Sequence, residues 1–349
     1  MRFFSLLVAL SAAGTALAAP QQRQLPPCGG PPKGQGQGKL RYFGVNEAGP
    51  EFGESQFPGQ PGKDYIWPDE QKMQQFIDLG MNTLRINFLM ERLIPKLTGQ
   101  PDEAYMRNLT NTINFITKQG VYAMMTPHNY GRYYQNVMND VDGFKTWWTT
   151  AATPFKDNPL VVFDTNNEFK DMDQQLVIKL NQAAIDGIRA AGAKDQIITP
   201  EGNFYTGAWT WIKSGGNSET MGVLTDPAHP GDTSRLIYQM HQYSDSDGSG
   251  SSETCVNNTV MADRLVGATE WLRQNKKQAI IGEYAGGANP TCFDAIIGGL
   301  RYMEKNSDVW LGALWWAAGP WWKNQKWYDM EPPDGIAWKE YIPKLKEFI

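Results

Sequence analysis

The chain has 349 residues, of which 41% are hydrophobic and 20% charged. That balance is globular and excludes a disordered or fibrous protein, and the length suits one large barrel or two domains. With 32 Lys and Arg against 37 Asp and Glu, the net charge of -5 argues against nucleic acid or an anionic membrane as the main partner, since both need a basic surface.

Residues 1–18 (MRFFSLLVALSAAGTALA) join a basic start at Arg2, an apolar run from Phe3 to Leu10 and a small-x-small end at Ala16-Leu17-Ala18. This is the pattern of a secretory signal peptide, so the mature chain is expected to be secreted, extracellular and free of any membrane anchor. Residues 19–38 hold almost no large apolar side chains and read as a disordered Pro/Gly-rich linker or pro-segment. A single domain is expected over 39–349. Of the three cysteines, Cys255 and Cys292 both lie in the folded part and are paired as a disulfide, leaving Cys28 in the linker. Asn108 and Asn257 head N-x-T sequons and are candidate glycosylation sites. The scattered cysteines and histidines give no zinc-ligand spacing.

From Leu40 onward, short apolar runs rich in Val, Ile, Tyr and Phe alternate with longer amphipathic segments. Strands are predicted at 40–47, 82–88, 122–128, 161–168, 196–202, 236–243, 278–284 and 311–319. Helices are predicted between them, among others at 69–79, 103–119, 174–191, 260–275 and 293–305. Eight strands with helical crossovers predict an α/β fold, a (β/α)8 TIM barrel. A doubly wound open sheet is the competitor. It usually carries a Gly-rich phosphate turn after its first strand, and GVNEAGPEFGE lacks one of the right form.

In such a barrel the chemistry sits at the C-terminal strand ends, and here those ends are loaded. The second strand carries Arg85. The third ends in Pro127-His128-Asn129, the fourth in Asn166-Asn167-Glu168 and the sixth in His241-Gln242-Tyr243. The seventh ends in Gly282-Glu283-Tyr284 and the eighth in Trp315-Trp316. Each group alone is an ordinary structural feature: a solvated Glu, a satisfied His, an Arg in a buried ion pair. The convergence of six strand ends on one face is not ordinary. Two carboxyls on opposite walls of a pocket are what glycosidic cleavage needs, one protonated and one ionised. Thirteen Trp also supply flat apolar faces on which sugar rings stack.

The runs FDTNNE (163–168), EGNFYTGAWTW (201–211), HQYSDSDGSGSSETC (241–255), IIGEYAGG (280–287) and WWAAGPWW (315–322) resemble fungal secreted endo-β-1,4-glucanases of glycoside hydrolase family 5. The resemblance runs from about Arg41 to Ile349. It implies a (β/α)8 fold and a retaining mechanism, with Glu168 as general acid/base and Glu283 as nucleophile. It further implies that Asn167 bonds the sugar 2-hydroxyl, that Arg85 and Tyr243 keep the nucleophile ionised and aimed, and that His128 and His241 contact the sugar and tune the carboxyls. Trp316 would be the platform at the cleavage point, and the family's disulfide matches Cys255 with Cys292. No metal or other cofactor is called for.

The sequence departs from that pattern after the acid. Nearer relatives place an aromatic and then His, whereas here Phe169 is followed by Lys170. An ammonium there would favour ionised Glu168 and weaken it as a donor; alternatively it extends into solvent or pairs with Asp171. Trp147 and Trp148 are adjacent on a predicted helix and cannot share a face, so at most one is expected to meet substrate. Trp209, Trp211, Trp321 and Trp322 stay open between cleft and core. Asn46 and Glu47 either touch a distal sugar or brace the barrel mouth. Three functions follow: an endo-β-1,4-glucanase on cellulose or mixed-linkage glucan; the same machinery on mannan or β-1,3-glucan; or a non-catalytic glycan-binding barrel. The partner in each case is a polysaccharide. A monomer is expected, because no helix shows a second apolar face.

Overall fold

Eight short strands are buried along almost their whole length, as a parallel sheet covered on both faces requires. The computed structural model describes residues 40–213, 216–323 and 325–349. The leader and linker expected at 1–38, and Cys28 with them, lie outside the described residues.

The order is β1 (Tyr42–Glu47), α1 (Glu70–Leu79), β2 (Thr83–Phe88), α2 (Glu103–Lys118), β3 (Tyr122–Pro127), α3 (Val141–Ala152), β4 (Val161–Asp164) and α4 (Gln174–Ala190). Then come β5 (Ile198–Thr199), α5 (Asn217–Thr220), β6 (Ile237–His241), α6 (Val260–Gln274), β7 (Gln278–Tyr284), α7 (Pro290–Lys305), β8 (Trp310–Ala318) and α8 (Ile336–Leu345). Neighbouring strands pair in parallel in the order β5-β4-β3-β2-β1-β8-β7-β6. Backbone bonds from Ile198 N to Arg235 O (2.9 Å) and from Gln239 N to Pro200 O (3.0 Å) close the β5–β6 seam. The result is the expected (β/α)8 barrel, with α5 reduced to one turn.

Side-chain alternation along the strands divides the lumen into two halves. At the N-terminal end Tyr42, Tyr122, Met124, Val162, Ile197, Ile237 and Ile280 fill it with apolar side chains. One step further along the same strands come Asn46, Arg85, Thr126, Asp164 and Gln239, all buried and polar. That polar layer is the floor of the site.

The helices start where short acidic or amide side chains cap them. Asp69, Asp102, Asp140, Asp173 and Asn289 each accept a backbone N–H of the first turn of α1, α2, α3, α4 and α7, which stabilises each start by about 1 kcal/mol. Helix α7 begins three residues before the predicted start, because Asn289 caps it and Pro290 suits the first helical position. Trp147 and Trp148 are both fully buried between α3 and its neighbours, and Trp148 donates to Thr165 O at 3.1 Å. Neither meets the cleft.

Candidate active site

Arg85 projects from the middle of β2 into the polar layer and is fully buried. Its Nη1 donates to Glu283 Oε1 (2.8 Å) and Asn46 Oδ1 (2.7 Å), and its Nη2 to Asn167 Oδ1 (2.6 Å) and Asp164 Oδ2 (3.1 Å). Glu283 stands near the end of β7, where its second oxygen accepts from the Tyr243 hydroxyl at 2.7 Å. Burial alone would push the Glu283 carboxyl up; the imidazoles of His241 and His128 where they are charged, and the Arg85 guanidinium throughout, outweigh it and hold the carboxyl well below the usual range. Burial pushes His241 down to about 3, so that ring is neutral near neutrality. Arg85 is then the permanent cation that keeps Glu283 ionised. Burial, with the charge of Glu283 beside it, raises Tyr243 well above the ordinary phenol range, which leaves it a proton donor to the carboxylate.

Glu168 does not sit on β4. The strand ends at Asp164, and the chain turns through Asn166 and Asn167 before Glu168 adopts a left-handed φ of 51°. Its backbone N–H donates to Glu201 Oε2 at 2.7 Å, and its Oε1 lies 2.7 Å from His241 Nδ1. Burial first, then the charge of Glu283, raises its carboxyl well above the ordinary value, against Arg85 and Lys170. One carboxyl is thus held protonated and the other ionised. Donor atoms of Glu168, His241 and Glu283 all lie within 4.8 Å of one another.

His128 follows β3. Its ring stacks on Trp316 (centroids 5.4 Å apart, planes 25° apart), and its Nε2 is 3.8 Å from Glu283 Oε1. Trp316 is partly exposed, whereas Trp315 beside it is fully buried. All eight residues expected at the site therefore meet at the C-terminal mouth of the barrel. The Asn167 amide nitrogen is buried without a protein partner.

On the Glu168 side a cavity of about 530 Å³ opens, lined by Tyr130, Lys170, Phe204, Tyr205 and Trp209 among others. Lys170 neither extends free nor pairs with Asp171. Its Nζ donates to the Tyr205 hydroxyl at 3.1 Å and lies 5.3 Å and 5.0 Å from the Tyr130 and Tyr205 ring centres. Trp209 lines this cavity, whereas Trp211 is core, packed on Tyr238 and Trp271. Trp321 stacks on Phe52, and Trp322 is buried with its indole N–H on Ala318 O. Asn46 braces the mouth: it accepts from Arg85 and donates to Gly282 O and Trp315 O. Glu47 is buried beside Glu331.

Cys255 and Cys292 form the expected disulfide. Asn108 lies on an outer face of α2 and Asn257 in the loop before α6, both exposed. Among the described residues no helix is long and apolar enough to cross a membrane. Sequence reasoning missed Asp164 and Glu201, although Asp164 lies inside one of the quoted runs and Glu201 opens another near the end of the fifth predicted strand, the same signal that marked Glu283.

The family profile described as Cellulase (glycosyl hydrolase family 5) matches residues 45–319. The chain is 48% identical over 349 residues to endo-β-1,4-glucanase B of Emericella nidulans, covering all of both. It is 52% identical over 314 residues to endoglucanase 3 of Humicola insolens, covering 90% of this chain and 79% of that one. Among solved structures, XacCel5A in complex with cellopentaose superposes with a TM-score of 0.84 at 34% identity, over 89% of this chain and 99% of that one.

Proposed function

The chain belongs to the cellulase family, glycosyl hydrolase family 5, and from that premise we propose that Glu283 is its nucleophile and Glu168 its acid/base. It is an endo-β-1,4-glucanase that hydrolyses internal bonds of cellulose with retention. The observation that carries the retaining pair is the separation of the two carboxyls, and the Arg85 and Tyr243 bonds to Glu283 support it as the ionised partner. Their nearest oxygens lie no more than 4.8 Å apart; retention uses roughly 5–5.5 Å between the carboxyl groups, and inversion leaves roughly 6.5–9.5 Å for a water.

In the first step a Glu283 oxygen attacks the anomeric carbon and the glycosidic C–O bond breaks. The bond pair moves to the leaving oxygen, which takes the Glu168 proton. In the second step a water oxygen attacks the same carbon, gives a proton to Glu168 and releases the Glu283 carboxylate. His241 fits both stages as a neutral ring. With Glu168 protonated, the carboxyl donates to Nδ1; with Glu168 ionised, the tautomer carrying hydrogen on Nδ1 donates back. The unpartnered Asn167 amide is free to donate to the sugar 2-hydroxyl, and Trp316, backed by His128, offers its face to the ring at the cleavage point. The leaving chain would occupy the cavity beside Glu168, where Tyr205 and Trp209 supply aromatic surface. Mixed-linkage β-glucan fits the same site. The expected leader, the disulfide and the exposed sequons at Asn108 and Asn257 support a secreted, glycosylated protein.

Reducing-sugar release from carboxymethyl-cellulose, β-mannan and laminarin tests this reading beside Glu283→Ala. The expected result is activity on carboxymethyl-cellulose that the variant abolishes. Faster cleavage of mannan or laminarin, or an active Glu283→Ala, overturns it.

A further inference from the structure

Below the two reacting carboxyls lie two more, Asp164 at the end of β4 and Glu201 just past β5, both fully buried. One guanidinium serves three of the four: Arg85 is 2.8 Å from Glu283, 3.1 Å from Asp164 and 3.3 Å from Glu201. Its Nη2 carries two hydrogens and faces three acceptors, Asn167 Oδ1, Asp164 Oδ2 and Glu201 Oε1. Arg85 Nε at 3.3 Å and the Thr126 hydroxyl at 2.9 Å also donate to Asp164 Oδ2, but a single cation still faces three buried acids, an arrangement that desolvation opposes unless one of them keeps a hydrogen of its own. Asp164 Oδ1 is buried with no donor at all, although Asp164 and Glu201 are in side-chain contact. The missing hydrogen has a place to sit, between these two side chains.

Glu201 is also the link to the acid/base. Its Oε2 accepts the Glu168 N–H at 2.7 Å, which pins the peptide on which Glu168 holds its left-handed φ of 51°. That backbone region is disfavoured for a residue with a Cβ and needs such an anchor. The Gln239 amide donates to Oε1, and His241 Nε2 is 3.7 Å from it.

We propose that Glu201 is a positioning residue for the acid/base: it stays a neutral carboxylic acid, shares its proton with Asp164, and anchors the Glu168 peptide. The groups facing it are Asp164 from β4, Arg85 from β2, Gln239 and His241 from β6, and Glu168 itself. Burial, then the charge of Asp164, raises Glu201 well above the ordinary carboxyl value, which agrees. In this state Arg85 faces two carboxylates rather than three, and the group that holds the Glu168 peptide is uncharged. The inference rests on Glu168 being the acid/base.

The test is the pH dependence of kcat and kcat/KM on a cello-oligosaccharide for Glu201→Gln and Glu201→Ala, with Glu168→Gln as control. An amide copies a neutral carboxyl once Gln239 turns its own unpartnered amide oxygen toward it: its oxygen accepts from Glu168 N–H, its NH2 donates to Asp164, and Arg85 Nη2 keeps Asn167 and Asp164. Glu201→Gln is therefore expected to keep kcat within about threefold and leave the alkaline limb in place. Glu201→Ala is expected to lose roughly thirtyfold or more in kcat with KM within about twofold. An alkaline limb that moves down by about half a unit or more in Glu201→Gln shows that Glu201 was ionised and overturns the inference, as does full kcat in Glu201→Ala. Should Glu201→Ala not fold, difference infrared spectroscopy decides. A protonated-carboxyl C=O band present in the wild type and lost in Glu201→Gln is expected; its absence from the wild type overturns the inference. If instead Glu168→Gln keeps activity and its alkaline limb, the assignment of the acid/base has failed, not the role of Glu201.

Discussion

Arg85 and Glu283 meet at 2.8 Å across 198 residues of sequence, with the guanidinium wholly shut off from solvent. This pair sets the charge state of the nucleophile. Arg85→Lys keeps a cation but loses the fork that reaches Asn46, Asp164 and Asn167 as well. Weaker stabilisation of the Glu283 carboxylate raises its pKa, so the acidic limb of kcat/KM moves to higher pH. A loss on the order of a hundredfold in kcat/KM, or ~2.7 kcal/mol, is expected. A pH–rate series on the purified variant measures both; an unmoved acidic limb contradicts this role.

Two adjacent indoles separate stability from activity. Trp315 is fully buried, edge-on to Tyr284 and tilted against Tyr341, with its N–H on Tyr328 O at 2.9 Å. Trp316, one residue on, faces the mouth of the barrel against His128. Trp315→Ala is expected to destabilise the fold by about 3–5 kcal/mol. Trp316→Ala is expected to leave the melting temperature nearly unchanged and to lower kcat/KM roughly tenfold to a hundredfold. Thermal melts and cellulase assays on the two variants check the contrast.

Lys170 couples weakly to the acid. Burial dominates the raised pKa of Glu168, and the ammonium is the last of the opposing charges, held away by its bond to Tyr205. Replacing it with the His that the family resemblance implies at this position removes part of that opposition. In Lys170→His the alkaline limb of the pH–rate profile is expected to move up, by about half a unit or less. A limb that does not move shows that the lysine is not coupled to Glu168.

A second acid pair, away from the chemistry, makes stability depend on pH. Burial, with help from Asp329 and Asp69 and against the Gly319 N–H, pushes Glu331 up to about 7. Below the unfolded value of roughly 4.3 both states hold the proton. Above it only the folded state does, so the stability this group supplies falls as pH rises and is gone above about 7. Between pH ~5 and ~8 the melting temperature of Glu331→Gln is therefore expected to fall less than that of the wild type. Equal slopes contradict the assignment.

Much of this was legible in the sequence because barrel chemistry is tied to strand ends. Six of the eight strands lie within two residues of their predicted bounds, and all eight expected site residues converge. The two poorest matches lose their ladder bonds for different reasons. The segment expected as a strand to 168 ends at Asp164 because Asn167 N bonds Pro127 O and Glu168 N bonds the Glu201 side chain. The fifth strand shrinks to Ile198–Thr199 because Pro200 has no N–H to continue the ladder. Glu201 and Asp164 escaped notice for a different reason. Their work is done through Arg85 and the Glu168 peptide, and a contact spanning 33 residues between a side chain and a backbone N–H leaves no spacing pattern to read.

The central claim is that Glu283 forms the covalent bond to the sugar while Glu168 manages the proton. It is tested most directly by inactivating the enzyme with a 2-deoxy-2-fluoro cellobioside carrying an activated leaving group, then locating the label by peptide mass spectrometry. The account predicts a label on Glu283 alone, and slow labelling of Glu168→Ala at the same residue. A label on Glu168 or on any other side chain would contradict it.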